Sequence, residues 1–173
     1  MNNTLRILAL AAAIAVLAGC KTKSNETPET PRASDPPPAA QAEPARGESW
    51  TDVTLLDTKP CLKARTVNFD FDQADVSGQF DEMIGCHAKW LQNNPGARLT
   101  LEGNADERGT REYNLGLGER RGNAVRDLLL AKGARSEQLT VVSYGEERPV
   151  CAESTDDCWA RNRRADLVYT QRQ

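Results

Sequence analysis

The pattern of apolar and polar positions divides the chain into three parts. Residues 7–18 are almost purely apolar, residues 21–47 are polar and show no periodicity, and from residue 65 short apolar runs alternate with longer amphipathic stretches. In this last part, runs rich in β-branched residues are typical of strands, and apolar residues repeated at helical spacing are typical of helices. The pattern predicts the order strand, helix, strand, helix, strand, helix, strand.

The bounds of these elements follow from local signals. Strands are expected at residues 65–69, 98–103, 139–144 and 165–169. A first helix is expected at about residues 77–92, where an Asn-Asn-Pro-Gly sequence stops it. A longer helix is expected between Thr110, a plausible N-cap, and Gly133, which can adopt the left-handed conformation that ends a helix. These elements predict an α+β fold, a two-layer sandwich with the order βαβαβαβ, in which a four-stranded mixed sheet packs on two main helices.

The first part of the chain has the features of a secretion signal. Arg6 precedes the apolar run, which has the length of a signal h-region and is short for a membrane span. The run ends in Leu-Ala-Gly-Cys, which resembles the lipobox of bacterial lipoproteins, so we predict a signal peptide at residues 1–19 and lipidation of Cys20. The alternative is a buried cysteine in an N-terminal helix.

Residues 20–49 are predicted to be the lipidated cysteine and a disordered tether, because they are rich in Pro, Ala, Ser, Thr and Glu. Such a proline-stiffened chain can reach roughly 80 Å. The remaining residues, 50–173, are predicted to form one domain, although the sequence does not settle whether residues 50–56 pack against it.

Composition argues against nucleic acid as a ligand. The formal net charge is −3 and aromatic residues make up 5% of the chain, so neither a basic patch nor base-stacking surfaces are expected. We predict no nucleic-acid partner.

Opposite charges are concentrated at the junction of the second strand and the long helix, in residues 103–110. Arg121 lies on the same stripe of that helix as the core residues, and a half-buried guanidinium requires a partner. We expect an anion to face it, which is either Asp106, in an internal salt bridge, or a group of a bound ligand.

Four cysteines remain besides Cys20. An even count in an exported protein favours two disulfides, with three possible pairings. We favour Cys61 with Cys86 and Cys151 with Cys158. A zinc site is the alternative, but no Cys-x-x-Cys or histidine pair accompanies these residues, and no metal or cofactor is predicted.

Two further features of the sequence resemble functional signals. His87, the single histidine, lacks neighbours with ligand or catalytic spacing, so it is interpreted as an ordinary helix residue. Gly116, Gly118 and Gly122 do not directly follow a strand, as a phosphate-binding loop would, and are interpreted as sites of close helix packing.

Five segments of the chain resemble a known family, the peptidoglycan-associated lipoproteins, whose periplasmic part is an OmpA-like peptidoglycan-binding domain. The resemblance covers about residues 66–169, and the matching segments are residues 67–72, 103–110, 117–125, 142–149 and 162–168. One departure is Asn104, where family members usually carry a histidine. An asparagine keeps hydrogen-bonding groups but cannot titrate.

The resemblance implies binding of meso-diaminopimelate, a zwitterion of the peptidoglycan stem peptide. Carried over by position, Asp106 would accept its ammonium, Arg121 would clamp its carboxylate, and Arg108 would assist near the helix N-terminus. Phe71 and Asp72 would form a wall of the pocket, and Leu117 its apolar floor.

The resemblance also implies partners and a location. We expect attachment to outer-membrane lipid through Cys20, a suggestion that Lys21 supports by the enteric sorting rule, together with binding to peptidoglycan and to a TolB-like periplasmic protein. We predict a binding protein and not an enzyme. The alternatives are a protein-docking scaffold with little wall binding, a peptidoglycan-acting enzyme that uses such carboxylates as Asp70, and a flagellar stator, which would need a membrane-spanning helix.

Overall fold

A computed structural model describes residues 49–173 of the chain. The helices are α1 (Leu55–Thr58), α2 (Pro60–Lys63), α3 (Asp81–Asn93), α4 (Arg111–Ala131) and α5 (Asp156–Asn162), and the strands are β1 (Thr66–Asn68), β2 (Arg98–Asn104), β3 (Leu139–Gly145) and β4 (Arg164–Gln171). The predicted signal peptide, the Cys20 lipidation site and nearly all of the predicted tether lie outside the described residues and stay predictions.

The four strands form one mixed sheet in the order β1-β4-β2-β3. Strand β4 is antiparallel to both β1 and β2, and β2 is parallel to β3. The predicted α+β architecture, with a four-stranded mixed sheet packed on two main helices, α3 and α4, is therefore confirmed. Because β1, β2 and β3 run in the same direction, their carboxyl ends meet at one edge of the sheet, together with the start of β4.

The core lies between the sheet and these two helices. Successive strand side chains point to opposite faces, so every second residue of β2 and β4 is available to the core. The members of the core include Leu99, Leu101, Ala165 and Leu167 from the sheet and Ile84, Ala88, Leu91, Val125 and Leu129 from the helices. This buried layer fixes the position of the sheet edge at which the strands end.

Helix α4 packs closely on β2 and β3 through two of its glycines. A Cβ atom on Gly118 would lie 2.4 Å from Ser143 Oγ and 2.7 Å from the carbonyl oxygen of Gly103. A Cβ atom on Gly122 would lie 2.6 Å from a methyl carbon of Val141. These contacts agree with the interpretation of Gly118 and Gly122 as packing sites, and they bring the helix face that carries Arg121 onto the end of β2. For Gly116 the interpretation was wrong, because a Cβ atom there would meet only the end of the Arg120 side chain, at 3.5 Å.

The ends of α4 are those that the sequence predicts. The Thr110 hydroxyl accepts a hydrogen bond from the backbone N–H of Tyr113 at 3.2 Å, which satisfies one of the unpaired donors of the first turn. Gly133 has φ = +94° and follows the last turn. Local capping therefore fixes both the start and the end of the helix.

The segment before β1 packs on the domain, which answers the question that the sequence left open. Leu56 and Leu62 are fully buried, and Asn94 Nδ2 donates to the carbonyl oxygen of Trp50 at 2.8 Å. The disulfide between Cys61 and Cys86, with a Cα–Cα distance of 6.1 Å, links this segment to α3.

The second disulfide joins Cys151 and Cys158, whose Cα atoms are 5.3 Å apart, and closes the loop before and into α5. Both predicted pairings are confirmed, and the zinc alternative is wrong for these four cysteines because their thiols are bonded to one another.

His87 is a buried residue of α3 that connects the N-terminal segment with β4. Its two ring nitrogens lie 2.8 Å from Tyr169 Oη and 2.9 Å from the carbonyl oxygen of Ala64. Burial lowers the pKa of His87 to about 4, so the ring is neutral at physiological pH. The residue has the structural role that the sequence interpretation gave it.

Candidate functional site

A cavity of about 260 Å³ opens at the edge where β1 and β2 end. The loop after β1, the loop after β2 and the first turns of α4 surround it. Its lining residues are Phe71, Asp72, Asp106, Arg108, Gly109, Tyr113, Leu117, Arg121 and Arg163. The structure therefore brings all six residues of the predicted ligand site together and adds three that were not predicted.

Asp106 is the buried acid of this cavity, with a relative exposure of 4%. Its carboxylate accepts from the backbone N–H of Arg108 at 3.1 Å, from the Arg108 guanidinium at 3.2 and 2.7 Å, and from Arg163 Nη1 at 3.3 Å. Burial alone would raise the pKa of Asp106, but hydrogen bonds from the two arginines outweigh it and hold the pKa below the usual value. The group is thus a carboxylate at neutral pH.

Arg121 is fully buried beneath the cavity, and its partners differ from the prediction. Its guanidinium donates to the backbone carbonyl oxygens of Gln73 at 2.9 Å, Asn104 at 2.9 Å and Asp70 at 3.1 Å. The predicted internal salt bridge with Asp106 is not formed, because backbone carbonyl oxygens satisfy three of the five N–H groups instead. The other alternative, an anionic group of a bound ligand, stays a prediction. The carboxylate of Asp106 interacts with it over a longer distance.

Burial lowers the pKa of Arg121 to about 10, so the group still carries its charge at neutral pH. A guanidinium has five N–H groups, and two of them are left after the three carbonyl bonds. The floor of the cavity therefore carries a fixed positive charge that the backbone holds in place.

Arg108 is a cation of the cavity wall that contacts two aromatic rings. Its guanidinium carbon is 4.1 Å from the ring centroid of Phe71 and 4.2 Å from that of Trp159. Phe71 is 57% exposed. The hydrogen bonds from Arg108 to Asp106 raise the pKa of Arg108.

Asp72 and Tyr113, which are hydrogen-bonded to each other, also line the cavity. Asp72 has φ = +59°, a left-handed turn that Asp tolerates better than most residues, and its carboxylate accepts a hydrogen bond from the Tyr113 hydroxyl. Leu117, which is 5% exposed, also lines the cavity and contributes apolar surface to it. The cavity thus combines two carboxylates, three guanidinium groups and an apolar surface.

The three lining residues that the site prediction missed are Gly109, Tyr113 and Arg163, and Trp159, which contacts Arg108 without lining the cavity, was also missed. Tyr113 sits in the first turn of α4, where an aromatic side chain can reach the preceding loop, and this spacing was a usable signal. Arg163 belongs to one of the segments that carry the family resemblance, but nothing local shows that it reaches an acid 57 residues earlier.

Asn104, the departure from the family pattern, is 1% exposed and does not line the cavity. Its side-chain Nδ2 donates to the backbone carbonyl oxygen of Glu102 at 3.0 Å. Its backbone carbonyl oxygen accepts from Arg121. Its Oδ1 has no hydrogen-bond partner within residues 49–173. The backbone of this position, and not its side chain, supports the pocket.

Two features of other protein classes are absent from the described residues 49–173. No helix there is both apolar enough and long enough for a membrane crossing. In the same range, no cluster of His, Cys, Asp and Glu side chains has an arrangement that could hold a metal ion.

Comparison with known proteins assigns this fold and site to a class. The OmpA family model matches residues 68–163, which include all residues that line the cavity and the whole of strands β2 and β3. A peptidoglycan-associated lipoprotein of Pseudomonas putida is 40% identical over 162 residues, or 94% of this chain and 95% of that protein. One of Haemophilus influenzae is 36% identical over 98% of this chain and 100% of that protein.

Solved structures agree with this assignment. The crystal structure of the peptidoglycan-associated lipoprotein from Burkholderia pseudomallei superposes with a TM-score of 0.66 at 44% identity and covers 69% of this chain and all of that one. The C-terminal domain of Helicobacter pylori MotB, at 18% identity and a TM-score of 0.57, shares the fold alone, over 61% of this chain and 84% of that one. The chain belongs to the OmpA family and, within it, to the peptidoglycan-associated lipoproteins. The prediction of a binding protein rather than an enzyme agrees with this family.

Proposed function

We propose that the protein binds peptidoglycan non-covalently by holding the diaminopimelate residue of the stem peptide in the cavity at the strand ends. The observation that carries the proposal is a buried carboxylate, Asp106, and a buried guanidinium, Arg121, at one small opening. A ligand that presents an ammonium and a carboxylate on one carbon matches this pair of charges.

Each charge of the ligand has a partner in this arrangement. The ammonium approaches the carboxylate of Asp106, with Asp72 as a second acid on the rim. The carboxylate approaches the remaining N–H groups of Arg121 and the start of α4, where free backbone donors favour anions. The carbon chain of the ligand then passes between Leu117 and Phe71.

The affinity of a single site is expected to be modest. Four donors already surround the Asp106 carboxylate, so the incoming ammonium displaces an existing contact, of which the Arg163 bond at 3.3 Å is the longest. A lipid anchor at Cys20 and the tether would offset this by keeping many sites close to a polymeric wall. In this way the protein ties the outer membrane to the peptidoglycan.

The protein is also proposed to bind a TolB-like periplasmic partner as part of a Tol-Pal system. The exposed rings of Phe71 and Tyr113 at the rim of the cavity provide an apolar contact surface for such a partner. Because the same rings border the ligand cavity, a protein bound there and the wall would compete.

The test is co-sedimentation with isolated sacculi. Asp106→Asn removes the buried charge with little change of shape, and it is expected to lower the affinity at least about tenfold, as loss of a hydrogen-bonded buried charge does. Asp127→Asn is the matched control, because this carboxylate is exposed on α4 and does not line the cavity. Within residues 49–173 its ion pair is with the neighbouring Arg126. Arg121→Ala is a poorer probe, since it would leave three buried carbonyl groups unpaired.

The control variant should sediment like the unaltered protein. If Asp106→Asn also sediments like the unaltered protein while remaining folded, the cavity is not the wall-binding site. Release of soluble muropeptides from the sacculi would indicate an enzyme and contradict the proposal.

A further inference from the structure

The cavity wall depends on a residue that does not itself line the cavity. The ring centroid of Trp159, in α5, lies 4.2 Å from the Arg108 guanidinium carbon, about as close as that of Phe71 at 4.1 Å. The contacts with the two rings restrict the orientation of the guanidinium plane, and the two hydrogen bonds to Asp106 fix the direction in which its N–H groups point. Since a free arginine side chain has many rotamers, this enclosure selects one of them before any ligand arrives.

Trp159 makes a second contact with the same loop. Its indole Nε1 donates to Glu107 Oε1 at 3.1 Å, and the same oxygen accepts from the Ser154 hydroxyl at 2.6 Å. These bonds lower the pKa of Glu107. The indole therefore contacts two consecutive residues: it donates a hydrogen bond to Glu107 and makes a cation–π contact with Arg108.

The helix that carries Trp159 is attached to the preceding loop by a disulfide and by hydrogen bonds. Cys158, the neighbour of Trp159, is 1% exposed and is bonded to Cys151. The side chain of Asn162 accepts from the backbone N–H of Val150 at 2.9 Å and of Cys151 at 3.1 Å. A seven-residue helix is marginal by itself, so these links hold the indole in place.

We propose that Trp159 is a positioning residue of the ligand site: it holds Arg108, and through Arg108 the Asp106 carboxylate, in the orientation that binds the ligand. This inference rests on the function proposed above. It assigns to the residue that follows the Cys151–Cys158 disulfide a role in recognition that acts through Arg108.

The experiment is calorimetric titration of the protein with a muramyl tripeptide that ends in meso-diaminopimelate. Trp159→Ala is expected to raise the Kd about five- to tenfold, in line with the loss of a partly desolvated cation–π contact. Trp159→Phe keeps an aromatic face over Arg108 and is expected to bind within about twofold of the unaltered protein.

A double-mutant cycle separates positioning from general packing. Arg108→Lys keeps the charge but removes the planar group that contacts the two rings. In this background, Trp159→Ala is expected to change the Kd by less than about twofold. An equal loss in both backgrounds would show that Trp159 acts independently of Arg108, and would overturn the proposal.

Trp50→Ala is the matched control. This ring is also flanked by two cations, Lys59 at 5.0 Å and Lys89 at 4.4 Å, but it packs beside Asn94, at the other end of the domain from the cavity. It is expected to bind like the unaltered protein.

The outcomes distinguish this inference from the function on which it rests. If the unaltered protein fails to bind the tripeptide, the proposed function is wrong. If the unaltered protein binds, Asp106→Asn does not, and a folded Trp159→Ala binds at full strength, only the positioning role is wrong. Thermal unfolding of each variant shows that it is folded at the titration temperature.

Discussion

The Arg108 guanidinium and the Asp106 carboxylate meet at two points, with Nε 3.2 Å from Oδ1 and Nη2 2.7 Å from Oδ2. This paired geometry is the strong form of a charge-assisted hydrogen bond. It keeps a carboxylate ionised in a position where only 4% of the residue is exposed. The acid of the proposed site is therefore organised before a ligand enters, and the following expectations depend on that arrangement.

Wall binding is expected to be constant from pH 8 to pH 5. The pKa of Asp106 is held below its usual value, so the side chain stays ionised at every pH above the usual pKa of an aspartate. Its charge is lost only when the pH falls through the lowered pKa. His87 is neutral throughout most of this range, and Asn104 cannot titrate. The measurement is the fraction of protein bound to sacculi against pH, and a step near pH 6.5 would contradict the account.

Two glycines of α4, two residues apart, are expected to respond in opposite ways to alanine. Gly118→Ala places a methyl group against Ser143 and the Gly103 carbonyl, and is expected to lower the free energy of unfolding by about 1–3 kcal/mol. Gly116→Ala meets only the flexible end of Arg120, at 3.5 Å, and is expected to raise it by about 0.5–1 kcal/mol.

Urea denaturation of both variants measures these changes. Because Gly118 lies three residues before Arg121, its alanine variant is also expected to bind sacculi more weakly while it is still folded. A neutral Gly118→Ala would mean that helix and sheet are less closely packed than the structure shows.

The sequence predicted the elements well and the partners of the buried charges poorly, and the reason is the range of each interaction. Thr110 and Gly133 act on their own helix, so composition and spacing reveal the ends of α4. The three carbonyl partners of Arg121 come from positions up to 51 residues away, and only the assembled sheet edge brings them together. A backbone carbonyl is also available at every residue, so sequence gives no sign of which one is used.

The same limit applies to Asp106 and Trp159. The sequence placed Asp106 in the site by resemblance, but its contact with Arg163 depends on how α5 meets the end of β1. Trp159 is 51 residues from Arg108, and its stacking follows from the disulfide loop that closes beside it. Residues that act through another residue leave little trace in local pattern.

Stability is expected to fall between pH 7 and pH 5 because of His87. The pKa of His87 is about 4 in the folded protein and about 6.5 in the unfolded chain. Between these values the unfolded chain binds more protons than the folded protein, so the free energy of unfolding decreases as the pH falls. The expected contribution is about 2 kcal/mol. The full stability is present above about pH 7 and is lost progressively as the pH falls through 6.5, the pKa of the unfolded histidine.

The measurement is the free energy of unfolding at the two pH values for the unaltered protein and for His87→Gln, which cannot titrate. The variant is expected to be less stable at pH 7 but to lose less on acidification. Identical pH dependence of the two proteins would contradict the assignment of a buried neutral imidazole.

Removing the Cys61–Cys86 disulfide is expected to affect stability without affecting recognition. The bridge closes a separation of 25 residues, and its loss, in a Cys61→Ser, Cys86→Ser double variant, should cost about 2–4 kcal/mol. Neither cysteine lines the cavity. The variant should unfold at lower urea concentration yet bind the muramyl tripeptide as before, and weakened binding by the folded variant would indicate an unforeseen link between α3 and the site.

The central claim is that the cavity recognises an ammonium and a carboxylate together. The most direct measurement compares the Kd of two muramyl tripeptides, one ending in meso-diaminopimelate and one ending in lysine, which keeps the side-chain ammonium but lacks the carboxylate beside it. The account predicts binding at least about tenfold tighter for the diaminopimelate peptide, because the fixed charge of Arg121 has no partner on lysine. Equal affinities for the two peptides would contradict it.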